Sequence, residues 1–216
     1  MTKLTRPVLN QARAGVGVLV SGLRDPVEDA QRIFRVALTA LSEPGRLLPL
    51  PVALGDVCRQ LGGGVGPAAL GLLLALADGD TPIWLDRKAS PIAAFLGFHS
   101  GAPIVERPVE GRFALIADAA AGPSLAVFDR GSVDYPDRSA TVILEVDRIL
   151  SGGSIGFSGP GIPTRRYLTI EGLPADFIAD WEANRTLFPC GVDVLLACGD
   201  HFLGLPRSTA LEVSCM

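Results

Sequence analysis

"LGLLLALADGDTPIWLD", residues 70–86, passes from a leucine-rich helix to a short strand bearing Trp84. Leu70, Leu72, Leu73, Leu74 and Leu76 surround the helix rather than lining one stripe, which predicts burial on all sides. At about 2 kcal/mol per buried leucine they contribute on the order of 10 kcal/mol before conformational entropy is subtracted. Asp78 and Asp80 then sit at the negative end of the helix. Two aspartates spaced i, i+2 could hold a hard cation or orient a hydroxyl. They could equally build a turn, with Gly79 left-handed after the helix, Asp80 and Thr81 turning the chain, and Pro82 barring further helix. The dipole penalty of a few tenths to about 1 kcal/mol is small enough for structure to absorb. Asp78, Asp80 and Thr81 are therefore read as a turn or an interface element.

The flanking sequence extends this helix-to-strand pattern. Upstream, "GGGVG" (62–66) lacks the Gly-Lys-Ser/Thr ending of a phosphate-cradling loop and reads as a flexible lead-in to a helix over Pro67–Ala77. In "DPVEDAQRIFRVALTAL" (25–41), Asp25 is a good N-cap, Pro26 suits the first helical position, and Glu28 stands where a capping box needs an acid. Val27, Ile33, Phe34, Ala37, Leu38 and Leu41 form its expected buried stripe, with Glu28, Arg32 and Arg35 facing away. "SEPG" (42–45) breaks that helix, and "RLLPLP" (46–51) suits an edge strand. Residues 1–24 have weak periodicity and read as an arm.

Downstream, strands are expected at "RFALIAD" (112–118), "ATVILEV" (140–146) and "RRYLTI" (165–170). A short helix is expected near Ile92–Leu96, followed by a loop, "FHSGAP" (98–103), and a further helix over Ala175–Arg185. "LSGGSIGFSGPGI" (150–162) reads as a glycine-rich connection. "DVLLAC-GD-HFLGL" (193–205) reads as a hairpin whose Gly199-Asp200 pair makes the turn. The whole is an α/β chain, with a mixed sheet covered on both faces and a single domain over 25–216.

Composition narrows the function. The chain has 216 residues, 48% of them hydrophobic, and its mean hydropathy is +0.36. Its longest apolar run, Pro67–Ala77, is far short of the roughly 20 residues of a membrane span. That apolar surplus without a span suggests protein–protein contacts. A net charge of −4 argues against a nucleic-acid surface. Lys3 and Lys88 are the only lysines, leaving little room for Schiff-base chemistry. Cys58, Cys190, Cys198 and Cys215 form no CxxC pair and have only His99 and His201 to join them, so neither zinc nor a disulfide framework is expected. A reducing cytoplasm follows. Lys3, Arg6 and Arg13 before "AGVGVLVSGL" (14–23) loosely mimic a secretory signal, but the apolar part is short and glycine-interrupted.

Four constellations could carry chemistry. Gly152-Gly153-Ser154-Ile155-Gly156 matches the G-x-S-x-G nucleophile elbow, with Asp193 or Asp200 and then His201 in the right order for a hydrolase. The motif needs a helix directly after the serine, and "FSGPGIPT" (157–164) opposes one. "SGPGIP" (158–163), with Gly159 and Gly161 before Arg165 and Arg166, suits either an anion-holding loop or a tight turn. Arg207, Ser208 and Thr209 in "LPRSTALEV" (205–213) suit an anion contact or an interface clamp. His99 is the histidine in an apolar setting, a structural group first and a functional candidate second.

Taken together and in this order, "DPVEDAQRIFR…LSEPG", "LADGDTPIWL", "FHSGAP", "LSGGSIGFSGPGI", "FPCGVDVLLACGD" and "LPRSTALEV" resemble the PhnH family, a component of the bacterial carbon–phosphorus lyase system. The likeness spans Asp25 to Val213. It implies a three-layer α/β/α sandwich akin to pyridoxal-phosphate-dependent transferases without the cofactor. It also implies a homodimer and partnership with the system's PhnG, PhnI, PhnJ and PhnK proteins, together with PhnL. PhnG, PhnH, PhnI and PhnL are implicated in displacing adenine from ATP by a phosphonate, giving a ribose 1-phosphonate 5-triphosphate. The resemblance transfers no catalytic residue, metal or cofactor to this chain, and the long arm over 1–24 departs from the family's shorter start. The chain is then a structural subunit, or one lending Arg207, Ser208 and His99 to a composite site. A self-sufficient hydrolase using Ser154 is the outsider.

Overall fold

The structure, a computed structural model, describes residues 20–214. Residues 1–19 of the expected arm, and Cys215, lie outside them. Helix α1 (Pro26–Ser42) starts on Asp25, whose carboxylate accepts the N–H groups of Val27 and Glu28 at 3.2 and 3.0 Å. The reciprocal bond comes from Asp29, not Glu28: the Asp25 N–H donates to Asp29 Oδ2 at 3.0 Å. Glu28 points outward and pairs with Arg32, whereas Asp29 is buried.

The buried face of α1 also differs from the expected stripe. Ile33, Ala37 and Ala40 are inside, while Val27, Phe34 and Leu38 are 70%, 47% and 51% exposed. A strand glycine sets this choice. A Cβ on Gly204 would lie 2.4 Å from the Ala40 carbonyl oxygen, so helix and sheet meet backbone to backbone. Only a small residue fits at that contact, and Phe34 and Leu38 turn out, while Ile33, two turns before Ala40 on the same face, stays buried.

Strand β1 (Leu48–Pro49) is a two-residue edge, as the prolines demand. Helix α2 (Gly55–Gln60) was not expected, since it is short and has no side-chain cap. Helix α3 (Pro67–Leu76) buries Ala68 through Leu73 completely round, and its last turn only partly. Gly79 does not adopt the left-handed conformation expected of it. Ala77 leaves the helix extended, and Asp78 builds the turn. Its Oδ1 accepts the Asp80 N–H at 3.0 Å, and its own N–H donates to Thr81 Oγ1 at 2.6 Å.

Beyond it come β2 (Ile83–Leu85), α4 (Ala93–Ser100), β3 (Ile104–Val105), β4 (Phe113–Ile116) and β5 (Thr141–Glu145). Phe98, His99 and Ser100 belong to the end of α4 rather than to a loop, and Gly101 closes it at φ 73°. The expected glycine-rich connection is instead a long strand, β6 (Arg148–Ser158), which pairs with β7 (Arg166–Glu171). Its register shifts between Ser151 and Ile155, where Gly152 and Gly153 take φ of 81° and 120°. Helix α5 (Phe177–Arg185) leads to the hairpin β8 (Asp193–Cys198) and β9 (His201–Leu205), and β10 (Ala210–Val213) ends the fold.

The main sheet has the order β1-β9-β8-β5-β4-β2-β3. Strands β3, β2, β4, β5 and β8 are parallel, β9 runs antiparallel to β8, and β1 antiparallel to β9. Alternate side chains feed two cores. Ile83, Leu115, Ile143 and Leu195 pack beneath α1–α4. Ala114, Val142, Leu144 and Leu196 face the other way. The mixed sheet covered on both faces is as expected, but the second cover is not a helical layer. It is a three-stranded antiparallel sheet, β10-β6-β7, together with α5. Among the described residues, no helix is long and apolar enough to cross a membrane.

Candidate functional site

In open α/β sheets, ligands settle outside the carboxyl ends of the parallel strands. Here that edge carries a cavity of about 390 Å³, bounded by the ends of β4, β5 and β8 and by the loop before α3. Glu145, the last residue of β5, reaches across to the loop, and the Gly66 N–H donates to its Oε1 at 2.5 Å. Lys88 reaches in after β2, its Nζ donating to the Ala117 carbonyl at 2.7 Å. Behind both lies Asp86, buried and accepting three N–H groups: Ala89 at 2.7 Å, and Ala117 and Asp118 at 2.9 Å each.

Burial pushes the Glu145 carboxyl up to about 7, against the opposing pull of the Gly66 N–H and of Lys88; the Asp86 charge adds to the rise. The same carboxyl, after burial itself, helps push the Cys58 thiol up to about 11, so this cavity-lining cysteine stays protonated and is a poor nucleophile. The site thus holds an ammonium beside a carboxyl that exchanges its proton near neutrality. A second cavity of about 750 Å³ along the same edge shares Lys88.

The residues singled out in the sequence lie elsewhere. Arg207 stands at the amino end of β8 with its whole guanidinium engaged. Nε and Nη2 fork onto Asp193 at 3.1 and 2.5 Å, Nη1 meets the carbonyls of Pro136 and Pro189, and Nη2 also meets Ser139 Oγ. No donor remains for an incoming anion, so the geometry is that of a clamp. Ser208 is half-buried beside it. Thr209 is fully buried; its carbonyl accepts Trp181 Nε1–H at 3.0 Å, while its hydroxyl has no partner among the described residues.

Gly159 and Gly161 serve close packing. A Cβ on Gly161 would lie 2.0 Å from the Ser42 carbonyl oxygen, and one on Gly159 3.1 Å from that of Ser208. Arg165 pairs with Glu212 at 2.7 Å, and Arg166 caps the carbonyls of Glu43 and Pro44. His99 packs at a tilt against Phe95 with centroids 4.4 Å apart, and its Nε2 meets the Val20 carbonyl at 3.0 Å. It pins the chain entering α1.

Ser154 lies inside β6, with strand rather than helix after it, which removes the elbow on which a hydrolase would depend. Its carbonyl accepts the Ser214 N–H at 2.8 Å. His201 bonds Asp200 at 2.7 Å, and among the described residues no hydrogen bond joins it to Ser154. The sequence reading missed Glu145 and Lys88. The available signal was an acid closing the otherwise apolar "ATVILEV" segment, with "GGGVG" as the loop it meets.

Comparison with known proteins agrees with the architecture's extent. Residues 21–212 match the family model described as bacterial phosphonate metabolism protein (PhnH). A Rhizobium meliloti (strain 1021) protein is 36% identical over 190 residues, covering 87% of this chain and 92% of its own length. It is named alpha-D-ribose 1-methylphosphonate 5-triphosphate synthase subunit PhnH. A Stutzerimonas stutzeri protein named for a C-P lyase subunit, HtxG, is 29% identical over 197 residues, covering 85% and 86%.

Proposed function

The chain belongs to the PhnH family of bacterial phosphonate metabolism proteins, and from that membership we propose that it works as one subunit of a carbon–phosphorus lyase system. In this reading it joins PhnG, PhnI and PhnL in making ribose 1-phosphonate 5-triphosphate from ATP and a phosphonate, and assembles with PhnJ and PhnK in the cytoplasm. The observation that carries it is the family match over 21–212, nearly all of the described chain. The fold adds a surface in keeping with assembly. Val27, Phe34 and Leu38 recur at i, i+7 and i+11 of α1, a spacing that aligns them on one outward stripe. Such a stripe suits a partner, whether a second copy in a homodimer or a sister subunit. We read the architecture as a relative of the pyridoxal-phosphate transferases that works without their cofactor.

Co-expression with the other subunits tests the reading. The chain is expected to co-purify with them, and a Phe34→Ser, Leu38→Ser variant to lose that association while remaining folded. The isolated chain is expected to release no adenine from ATP and methylphosphonate. Turnover by the chain alone would overturn a subunit role.

A further inference from the structure

The edge cavity supports a step beyond assembly. Lys88 is the only lysine among the described residues, and its exposed ammonium spends one donor on Ala117, leaving two without a protein partner. The N–H groups of Gly64 and Val65, both on the cavity wall, have no partner among the described residues. The next N–H, that of Gly66, is taken by Glu145, so the start of α3 is already closed by a carboxyl. Donors without a protein partner thus belong to residues that line the same cavity as that carboxyl.

We infer that the cavity at the carboxyl ends of β4, β5 and β8 binds a tetrahedral oxyanion, with Lys88 as its cation and Glu145 as the group that takes up a proton when it binds. The inference goes beyond the subunit role, since it gives this chain a ligand of its own. The charges around Glu145 explain the coupling. From α2 come Cys58, a neutral thiol, and Arg59, drawn off in an exposed pair with Asp56. From the β2 end come Lys88 and the locked Asp86, and beyond β5 the exposed Asp147. With Arg59 held by Asp56, an incoming anion meets the ionised Glu145, Asp86 and Asp147 against the Lys88 ammonium. Protonating Glu145 from solvent removes one of those three negative charges. The volume exceeds that of an inorganic oxyanion, so a ligand with an organic body fits, its head group near Lys88.

Calorimetric titration of the full chain with sulfate tests this, because sulfate does not itself titrate near neutrality. Sulfate should bind more tightly at about pH 6 than at about pH 8, by up to about tenfold, the limit for one linked proton on a carboxyl that sits at about 7 in the free chain. Lys88→Met should weaken binding at the lower pH by about tenfold or more. Glu145→Gln should bind equally at both pH values. Inorganic phosphate should compete for the same site, and acetate, a planar anion, should not. Lys88 is exposed, so its variant is expected to melt like the parent, and a thermal scan verifies this. Absence of sulfate binding at the lower pH would overturn the inference. So would unchanged binding in Lys88→Met, a pH dependence surviving in Glu145→Gln, or Mg²⁺ binding in place of the anion. Each measurement uses the isolated chain, so loss of co-purification leaves this result standing, and the reverse also holds.

Discussion

Arg207 shows how far a side chain's role depends on what the fold brings to it. In the sequence it stands beside two hydroxyls after Pro206, a setting that suits anion binding. In the structure it ties the start of β8 to the segments holding Pro136, Ser139 and Pro189. Arg207→Ala should therefore cost stability, about 2 kcal/mol by denaturant titration, because it strands Asp193 half-buried with only a backbone donor. Lysine at 207 should recover little of it, lacking the fork. Glu145 makes the complementary prediction. Its carboxyl sits at about 7 in the fold against 4.5 unperturbed, so the folded chain holds more protons than the unfolded one between those values. Stability should fall as pH rises through that window, and Glu145→Gln should flatten the decline in urea midpoints measured at successive pH values. Neither role was legible in the sequence. Asp193 and Ser139 lie 14 and 68 positions from Arg207, and Gly66 lies 79 from Glu145.

Elements were legible where local chemistry set them. Asp25 and Pro26 announced α1, and Gly199-Asp200 announced the β8–β9 hairpin. Strand β6 hid because its glycines mark a bulge, and bulges look like loops until a partner strand is known. The face of α1 hid for a related reason, since Gly204 dictates it from 164 positions beyond Ala40 (204 − 40). Gly204→Ala should push α1 off β9 and cost about 3 kcal/mol or more, read as a lowered melting temperature. Asp29→Ala should cost about 1 kcal/mol by freeing the Asp25 N–H.

At the level of the whole molecule, one sheet divides two cores, so damage on either face should be felt on the other. Leu72→Ala, under α3, should destabilise by about 3 kcal/mol. Trp84 and Trp181 both report from the opposite core. Their fluorescence should nevertheless move in step with far-UV circular dichroism during unfolding. Separate midpoints would mean that the two halves melt independently. The mixed α/β class and the two-sided cover were readable from alternating helices and strands. The second sheet was not, because β10 must return to β6 across more than fifty residues, Ala210 pairing with Ser158.

The rims of the main sheet carry a final consequence. Both outermost strands, β1 and β3, pair over just two residues, and prolines at 49, 51 and 103 crowd them. Such stubs offer almost no ladder to a stranger's backbone, which protects a greasy polypeptide from zipping onto its own copies. A partner that meets the main sheet at these rims is recruited through side chains, and recognition of that kind can be rewritten one residue at a time.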